Sequence, residues 1–258
     1  MVKKVCILGL QGLPLIKAGD DLANLIVRTA KKNDLEINDG DILVIAQKVI
    51  SKVEGRLVRL DSIKPSKRAL KIAETTGKAP RLVELVLRES KRLLKSSREI
   101  LIVEDTREIV NINAGIDKSN INGRNQYSLL PKDPDKSARQ IRLRIKSLTG
   151  KSVGVIISDT YSRAFRRGQV NFTIGLAGVN PFIDYRGKED LFGYVMQVKF
   201  SAIADELASA AELVMGQGKE AIPVVIIRGL DKENLSENFS SKDLIIGEKE
   251  DLFKNVWQ

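Results

Sequence analysis

Residues 153–171 read VGVIISDTYSRAFRRGQVN. The first half is an apolar run suited to a buried strand, and it stops abruptly at Asp159 and Thr160. Arg163, Arg166 and Arg167 follow within the next seven positions. A carboxylate and a hydroxyl at a strand end suit a ligand, because ligands gather there in α/β structures. An aspartate can hold Mg²⁺ with a threonine hydroxyl beside it, and arginines match phosphate or carboxylate oxygens bidentately. A charged surface turn would carry the same residues, so the rest of the chain must decide between the two.

Working outward, strand and helix patterns alternate without a regular order. KKVCILGL reads as a strand, and GDDLANLIVRTAKKN as a helix capped by Gly19 or Asp20. GDILVIAQKVIS reads as one buried strand. KPSKRALKIAETTG reads as a short helix ending at Gly77, and APRLVELVLRESKRLLKSS as another with Leu82, Leu85, Val86 and Leu93 at helical spacing. EILIVED and EIVNIN suggest a hairpin. Residues 114–138 carry Gly, Asn, Asp and Pro with no period, the mark of a functional loop or a disordered one. A helix follows, capped by Asp135 and closed by Gly150. Beyond the opening stretch come a strand at VMQVKFSA, a helix at SAIADELASAAELVMG and a last buried strand at IPVVIIRG. This mixed order predicts an α+β fold with mixed sheets and packed helices rather than a doubly wound sheet. The whole chain, 1–258, reads as one unit. Residues 65–97, read as helical, could stand apart as a subdomain.

Composition narrows the chemistry. The 258 residues include no histidine and one cysteine, Cys6. That removes Ser-His-Asp and Cys-His mechanisms, His-ligated metals and internal disulfides, and suggests a reducing, cytoplasmic setting. A metal here would be a hard cation on oxygen ligands. The net charge of +10 suits an anionic partner or merely a lysine-rich surface. Aromatics make up 5%, with no basic run interleaved with them, which argues against stacking platforms for single-stranded nucleic acid. No apolar run approaches a membrane span.

Four further segments carry possible chemistry. GKS at 150–152 mimics a phosphate loop, but Ile145 stands where the motif needs glycine, and the helix precedes instead of following. NAGIDKSN, 113–120, sets Asp117, Ser119 and Asn120 in an irregular loop that suits a hard cation or an Asx turn. QKVISKVEGR, 47–56, places Lys52 after an apolar run, at a phosphate or at an exposed strand end. MGQGKEAIPVVIIRG, 215–229, brackets a loop with glycines that allow close backbone approach to a ligand, or that simply stop the helix.

Taken in order, GLPLIKAGDDLANLI, GDILVIAQKVISKVEGR, NAGIDKSN, LLPKDPDKSA, GVIISDTYSRAFRRGQ, DYRGKEDLFGY, ADELASAAELVMGQG and PVVIIRG resemble the coenzyme F-420-0:L-glutamate ligase family. These are the gamma-glutamyl ligases of deazaflavin coenzyme biosynthesis. The resemblance runs from about Gly12 to Gly229. It implies an α+β, intertwined homodimer that adds L-glutamate, and a second gamma-linked glutamate, to a deazaflavin precursor. GTP would be the co-substrate, with Mn²⁺ or Mg²⁺ and K⁺ assisting and an acyl phosphate as intermediate. Leu13, Pro14, Leu15, Ile16, Gln47, Lys48, Lys52 and Asn120 would line the nucleotide pocket, with Lys52 on phosphate. Met215, Gly216, Gln217, Gly218, Lys219, Glu220, Ala221 and Ile222 would wrap the nucleotide. Asp117, Asp159, Thr160 and Gln217 would ligate metal. Our own reading of the residues adds Arg163, Arg166 and Arg167 as clamps for the precursor's phosphate or the incoming glutamate. It expects no nucleic-acid partner, no membrane and no fused flavin-dependent domain. A metal-dependent phosphohydrolase using Asp117 and Asp159 is the alternative enzyme. A basic nucleic-acid-binding protein is the third class.

Overall fold

The computed structural model describes residues 3–162, 165–231, 234–247 and 249–251. Its centre is a five-stranded mixed sheet built from β1 (Cys6–Gly9), β2 (Ile42–Ala46), β8 (Gly154–Ser162), β9 (Gln169–Ala177) and β12 (Val224–Arg228). Their spatial order is β1-β12-β2-β8-β9. Only β2 and β8 run parallel; the other neighbours are antiparallel. The two parallel strands are apolar runs buried on both faces, as crossover strands must be.

Alternation along these strands supplies two cores. Leu43, Ile45, Val155, Ile157, Val224 and Ile226 face one way, toward α1 (Leu22–Lys32), α2 (Gln47–Val53) and α5 (Pro134–Thr149). Ile42, Val44, Ile156, Val225 and Ile227 face the other way, onto Ile203, Leu207 and Ala211 of α6 (Ile203–Met215). Each such aliphatic side chain contributes about 1.5–3 kcal/mol on burial.

A second layer is inserted between α2 and α5. Here α3 (Lys67–Thr76) and α4 (Pro80–Arg88) pack on the antiparallel sheet β4 (Ser90–Ser97), β5 (Ile100–Asp105) and β6 (Val110–Ile112). β3 (Leu57–Arg59) pairs with β7 (Gln126–Ser128), and β6 approaches β8 of the central sheet. A small two-stranded ribbon of β10 (Ile183–Asp184) and β11 (Phe200–Ser201) carries an exposed arm between its strands. Leu191, Phe192 and Val198 on that arm are 97%, 95% and 88% exposed. Among the described residues no helix is long and apolar enough to cross a membrane.

The α+β class and the mixed sheet agree with the sequence reading, and several local expectations do not. GDILVIAQKVIS is not one strand: the chain turns into α2 after Ala46, and Val49 and Ile50 enter the same core from a helix. A short apolar run has no period that separates these two cases. Leu93 is not on a helix. α4 ends at Arg88, and β4 pairs with β5, so the segment 65–97 is only partly helical. α1 is capped by Asp21, whose side chain accepts from the Asn24 amide at 3.0 Å, not by Gly19 or Asp20. α5 is capped by Asp133, with Pro134 as its first residue. Asp135 instead accepts from the Leu176 amide at 2.8 Å and from Ser241, tying α5 to β9 and to the C-terminal segment. VMQVKFSA is a strand only at Phe200–Ser201. Residues 114–138 are less formless than expected, because they contain β7.

Candidate active site

Parallel pairing builds the site. Ala46 and Ser158 lie in register across β2 and β8, so both strands deliver their C-terminal ends to one edge. From β2 the chain enters α2, which carries Lys48 and Lys52 one helical turn apart. From β8 it continues to Asp159 and Thr160. Just before them, Ile157 faces Gly175 while Ser158 faces Thr173, so Ile174 is an extra residue on β9. This bulge redirects the strand where the site begins. β9 can run this close to α5 because Gly175 has no side chain. A Cβ there would lie 2.5 Å from Pro134 Cβ.

Asp117 arrives from the segment after β6. Residues 113 and 114 both adopt positive φ, at 54° and 55°, and this tight turn leads to an antiparallel bridge between Asp117 and Ser128. The Asp117 carboxylate accepts from the Lys48 ammonium and from the Ser119 hydroxyl at 2.5 Å. Lys48 also donates to Ser119 Oγ at 2.5 Å. Burial pushes the Asp117 carboxyl up, but the hydrogen bonds from Lys48 and Ser119 outweigh it and hold it below the ordinary aspartate value. Lys52 is held below the ordinary lysine value by desolvation and then by the charge of Lys48. Asp159 responds differently. Desolvation raises its pKa to about 6, against the Thr160 amide and the charges of Arg107 and Lys48, while Asp117 adds a smaller upward push. A desolvated carboxylate near a second carboxylate, in a chain without histidine, fits a hard cation, and the Lys48 ammonium on Asp117 is the resident counter-charge.

Neighbouring strand residues point to opposite faces, so Thr160 does not join this group. Its hydroxyl donates to Asn171 Oδ1 at 2.9 Å and accepts from Gln217 Nε2 at 2.9 Å. Gln217 Nε2 also donates to Glu212 Oε1 at 2.5 Å, and the other Glu212 oxygen accepts from the Asn171 amide at 2.9 Å. The four expected metal ligands therefore fall into two sets, Asp117 with Asp159 and Thr160 with Gln217. Among the described residues, no three acidic side chains are grouped to hold one ion.

The loop after α6 begins at Met215, which is buried, and Gly216 at φ 66°. Glu220 curls back so that the Gly218 amide donates to its carboxylate at 2.8 Å. Asn120 donates to the Gly218 carbonyl at 3.1 Å, which joins the Asp117 segment to this loop. Lys219 and Ala221 are exposed, and Ile222 packs against the α6 core. Gln47 is buried and donates to Ser51 at 2.6 Å and to the Leu129 carbonyl at 3.3 Å, so its amide faces the protein interior. In the loop after β1, Leu13 and Ile16 pack on the core, while Pro14 and Leu15 are exposed. The loop's end is tied to α2 by the Gly19 amide and the Val53 carbonyl, at 2.9 Å. Arg166 and Arg167 are exposed in the turn between β8 and β9, and Arg163 lies outside the described residues.

Sequence reading overlooked three groups. Arg107, in the β5–β6 turn, forms a buried pair with Asp105 and sends its charge toward Asp159. Its Nη1 and the Tyr161 hydroxyl are buried without hydrogen-bond partners among the described residues. Glu212 and Asn171 bind the Thr160–Gln217 pair. Arg107 sits in an ordinary turn, DTRE, that carries no motif. Asn171 is the third residue of β9, a strand whose glycine and polar residues hid its period.

Comparison with known proteins fits this arrangement. Residues 11–229 match the F420-0:Gamma-glutamyl ligase family. The chain is 42% identical over 250 residues to the coenzyme F420:L-glutamate ligase of Methanothermobacter thermautotrophicus, covering 97% of this chain and 99% of that protein. It is 44% identical over 255 residues to that of Methanocaldococcus jannaschii, covering 98% of each. For the ligase of Archaeoglobus fulgidus the figures are 44% over 253 residues and 97% of each. On this near full-length likeness, the chain belongs to the F420-0:gamma-glutamyl ligase family.

Proposed function

We propose that this protein is a coenzyme F420:L-glutamate ligase that uses GTP to join L-glutamate to the deazaflavin precursor. The observation that carries the reading is the meeting of Lys48, Asp117 and Asp159 at the C-terminal edge of the parallel pair β2–β8. Several anions must be brought together in such a reaction, and cationic clamps supply most of the catalysis in phosphoryl transfer.

In this reading a precursor carboxylate oxygen forms a bond to the γ-phosphorus of GTP and the bond to GDP breaks. The glutamate amine then attacks the acyl carbon, phosphate leaves, and the amine loses a proton. Asp117 and Asp159 would hold Mn²⁺ or Mg²⁺, which would neutralise phosphate charge. Lys48 stands beside them as a resident cation, and Lys52 meets phosphate from the same helix face. Residues 215–222, with Asn120, wrap the nucleotide. Leu13, Pro14, Leu15 and Ile16 flank it. Gln47 serves by fixing α2 to residue 129 rather than by touching the nucleotide. Thr160 and Gln217, braced by Glu212, offer a second oxygen set on the other face of β8. Arg166 and Arg167 guide anions at the rim. The addition of a second, gamma-linked glutamate and assistance by K⁺ belong to the same proposal.

The exposed apolar arm between β10 and β11 favours a homodimer, since a contiguous exposed patch of this kind commonly marks an interface. The phosphohydrolase alternative is separated by co-substrate dependence. Beyond the first equivalent formed with the acyl phosphate, the ligase goes on releasing GDP and phosphate only when both precursor and L-glutamate are present. A hydrolase turns over without glutamate. Asp159→Asn and Asp117→Asn are expected to abolish turnover and to weaken Mn²⁺ binding, read by the paramagnetic resonance signal of free Mn²⁺. Undiminished Mn²⁺ binding by both variants contradicts the assignment.

A further inference from the structure

A cavity of about 400 Å³ opens where the end of α4, the β5–β6 turn and the segments flanking β3 and β7 meet. Its walls include Arg56, Arg88, Arg107 and Lys132 together with Glu89 and Asp105. This volume lies at the small end of the range for small-molecule sites, ~300–1,000 Å³. None of its lining residues belongs to segments 13–16 or 215–222, so it is separate from the nucleotide segments. Ala114 of this wall stands three residues before Asp117, and Arg107 lies in the turn leading into β6, which approaches β8, the strand that carries Asp159. The cavity therefore adjoins the reacting end of the site.

The charges have a definite pattern. Arg107 is engaged with Asp105, and Asp105 also accepts from the Ile109 amide at 3.2 Å and from Asn111 at 2.8 Å. Arg56 donates to one Glu89 oxygen at 2.5 Å and to the Leu130 carbonyl at 3.0 Å. The second Glu89 oxygen accepts no hydrogen bond among the described residues. Lys132 is exposed and makes no ion pair among them, and Arg88 reaches Glu84 at 3.0 Å and the Lys64 carbonyl at 3.4 Å from a half-exposed position. Positive charge is in excess, yet an acceptor oxygen is available. A phosphate would be repelled by Glu89, whereas an amino dicarboxylate carries both signs.

We propose that this cavity is the seat of the incoming L-glutamate. Glu89 receives its amino group, and Lys132 and Arg88 receive its carboxylates. The proposal rests on the ligase reading above and gives its second substrate a place.

The test is steady-state kinetics of Lys132→Ala and Arg88→Ala, varying L-glutamate, precursor and GTP in turn. Isothermal titration of L-glutamate into the wild type and both variants accompanies it. Loss of a charge-assisted hydrogen bond predicts a rise of roughly tenfold or more in KM for L-glutamate. KM for precursor and GTP stays within about twofold, and Lys132→Arg recovers most of the loss by keeping the charge. Lys132 makes no ion pair among the described residues, so Lys132→Ala keeps its melting temperature, whereas Arg88→Ala gives up its bond to Glu84 and melts lower, with an unchanged circular dichroism spectrum showing that it folds. An unaltered KM for L-glutamate in both variants overturns the proposal. So does a rise confined to the precursor, which would assign the cavity to the precursor's anionic groups. A wild type that forms no glutamylated product refutes the ligase reading instead. Titration then decides the cavity alone: glutamate heat that disappears in Lys132→Ala supports it, and absence of heat in the wild type overturns it.

Discussion

Replacing Arg107 by Met removes one partner of an ion pair whose other member, Asp105, is 2% exposed. Removing one side of a buried pair typically costs about 3–5 kcal/mol, because the remaining charge has no counterion. Asp105 keeps three acceptor contacts after the change, from the amides of residues 107 and 109 and from Asn111. These retained bonds place the expected loss near the lower end, about 3 kcal/mol. For a chain of this size that corresponds to a fall of roughly 6–12 °C in melting temperature. Equilibrium urea unfolding followed by circular dichroism gives the free energy directly. Asp105→Asn combined with Arg107→Met removes both charges and keeps the acceptor, so the double variant recovers a substantial part of the loss. A loss below about 1 kcal/mol for Arg107→Met would falsify the claim that this turn is held by a buried pair, as would a double variant less stable than the single one.

Three other expectations follow from particular contacts. Gly175→Ala puts a methyl group 2.5 Å from Pro134 Cβ and 2.6 Å from its carbonyl carbon, against a helix end that Asp135 ties down. The predicted cost is about 1–3 kcal/mol in urea unfolding, and a neutral variant contradicts the close approach. Glu84 is held below its ordinary pKa by Ser66, through hydroxyl and amide, and then by Arg88. Its stabilisation is therefore present above the unfolded value of ~4.3 and is lost as pH falls through the lower folded value. Glu84→Gln should cost about 1–3 kcal/mol at pH 7 and progressively less on acidification, and a pH-independent difference is the adverse result. On the homodimer proposed above, Leu191→Asp with Phe192→Asp should shift sedimentation equilibrium from dimer to monomer, and an unchanged dimer removes the arm from the interface.

The sequence was most legible where period and punctuation agree. The apolar runs of β2, β8 and β12, the spacing of α6, and Gly77 and Gly150 as left-handed helix ends all reappear in the structure. Where short apolar runs change element type, as at Ala46 and after Arg88, nothing local marks the switch, because tertiary burial rather than period decides it. The site shows the same division. Asp117, Asp159 and Lys48 lie in segments that stand out in the chain. Their meeting depends on the parallel register of Ala46 with Ser158, which no single motif contains. Thr160 is next to Asp159 in sequence but, by strand alternation, joins Gln217 and Glu212 on the other face. Arg107 is invisible to motif reading because its role arises from where the β5–β6 turn lands.

The central claim is amide-bond formation with glutamate, and product mass tests it most directly. The purified protein is incubated with deazaflavin precursor, GTP, Mn²⁺ and L-glutamate, and the products are weighed by mass spectrometry. The account predicts species heavier than the precursor by one or more glutamyl units, with GDP formed in proportion and neither appearing with Asp159→Asn. An unchanged precursor mass, or GDP release that proceeds equally without L-glutamate, contradicts it.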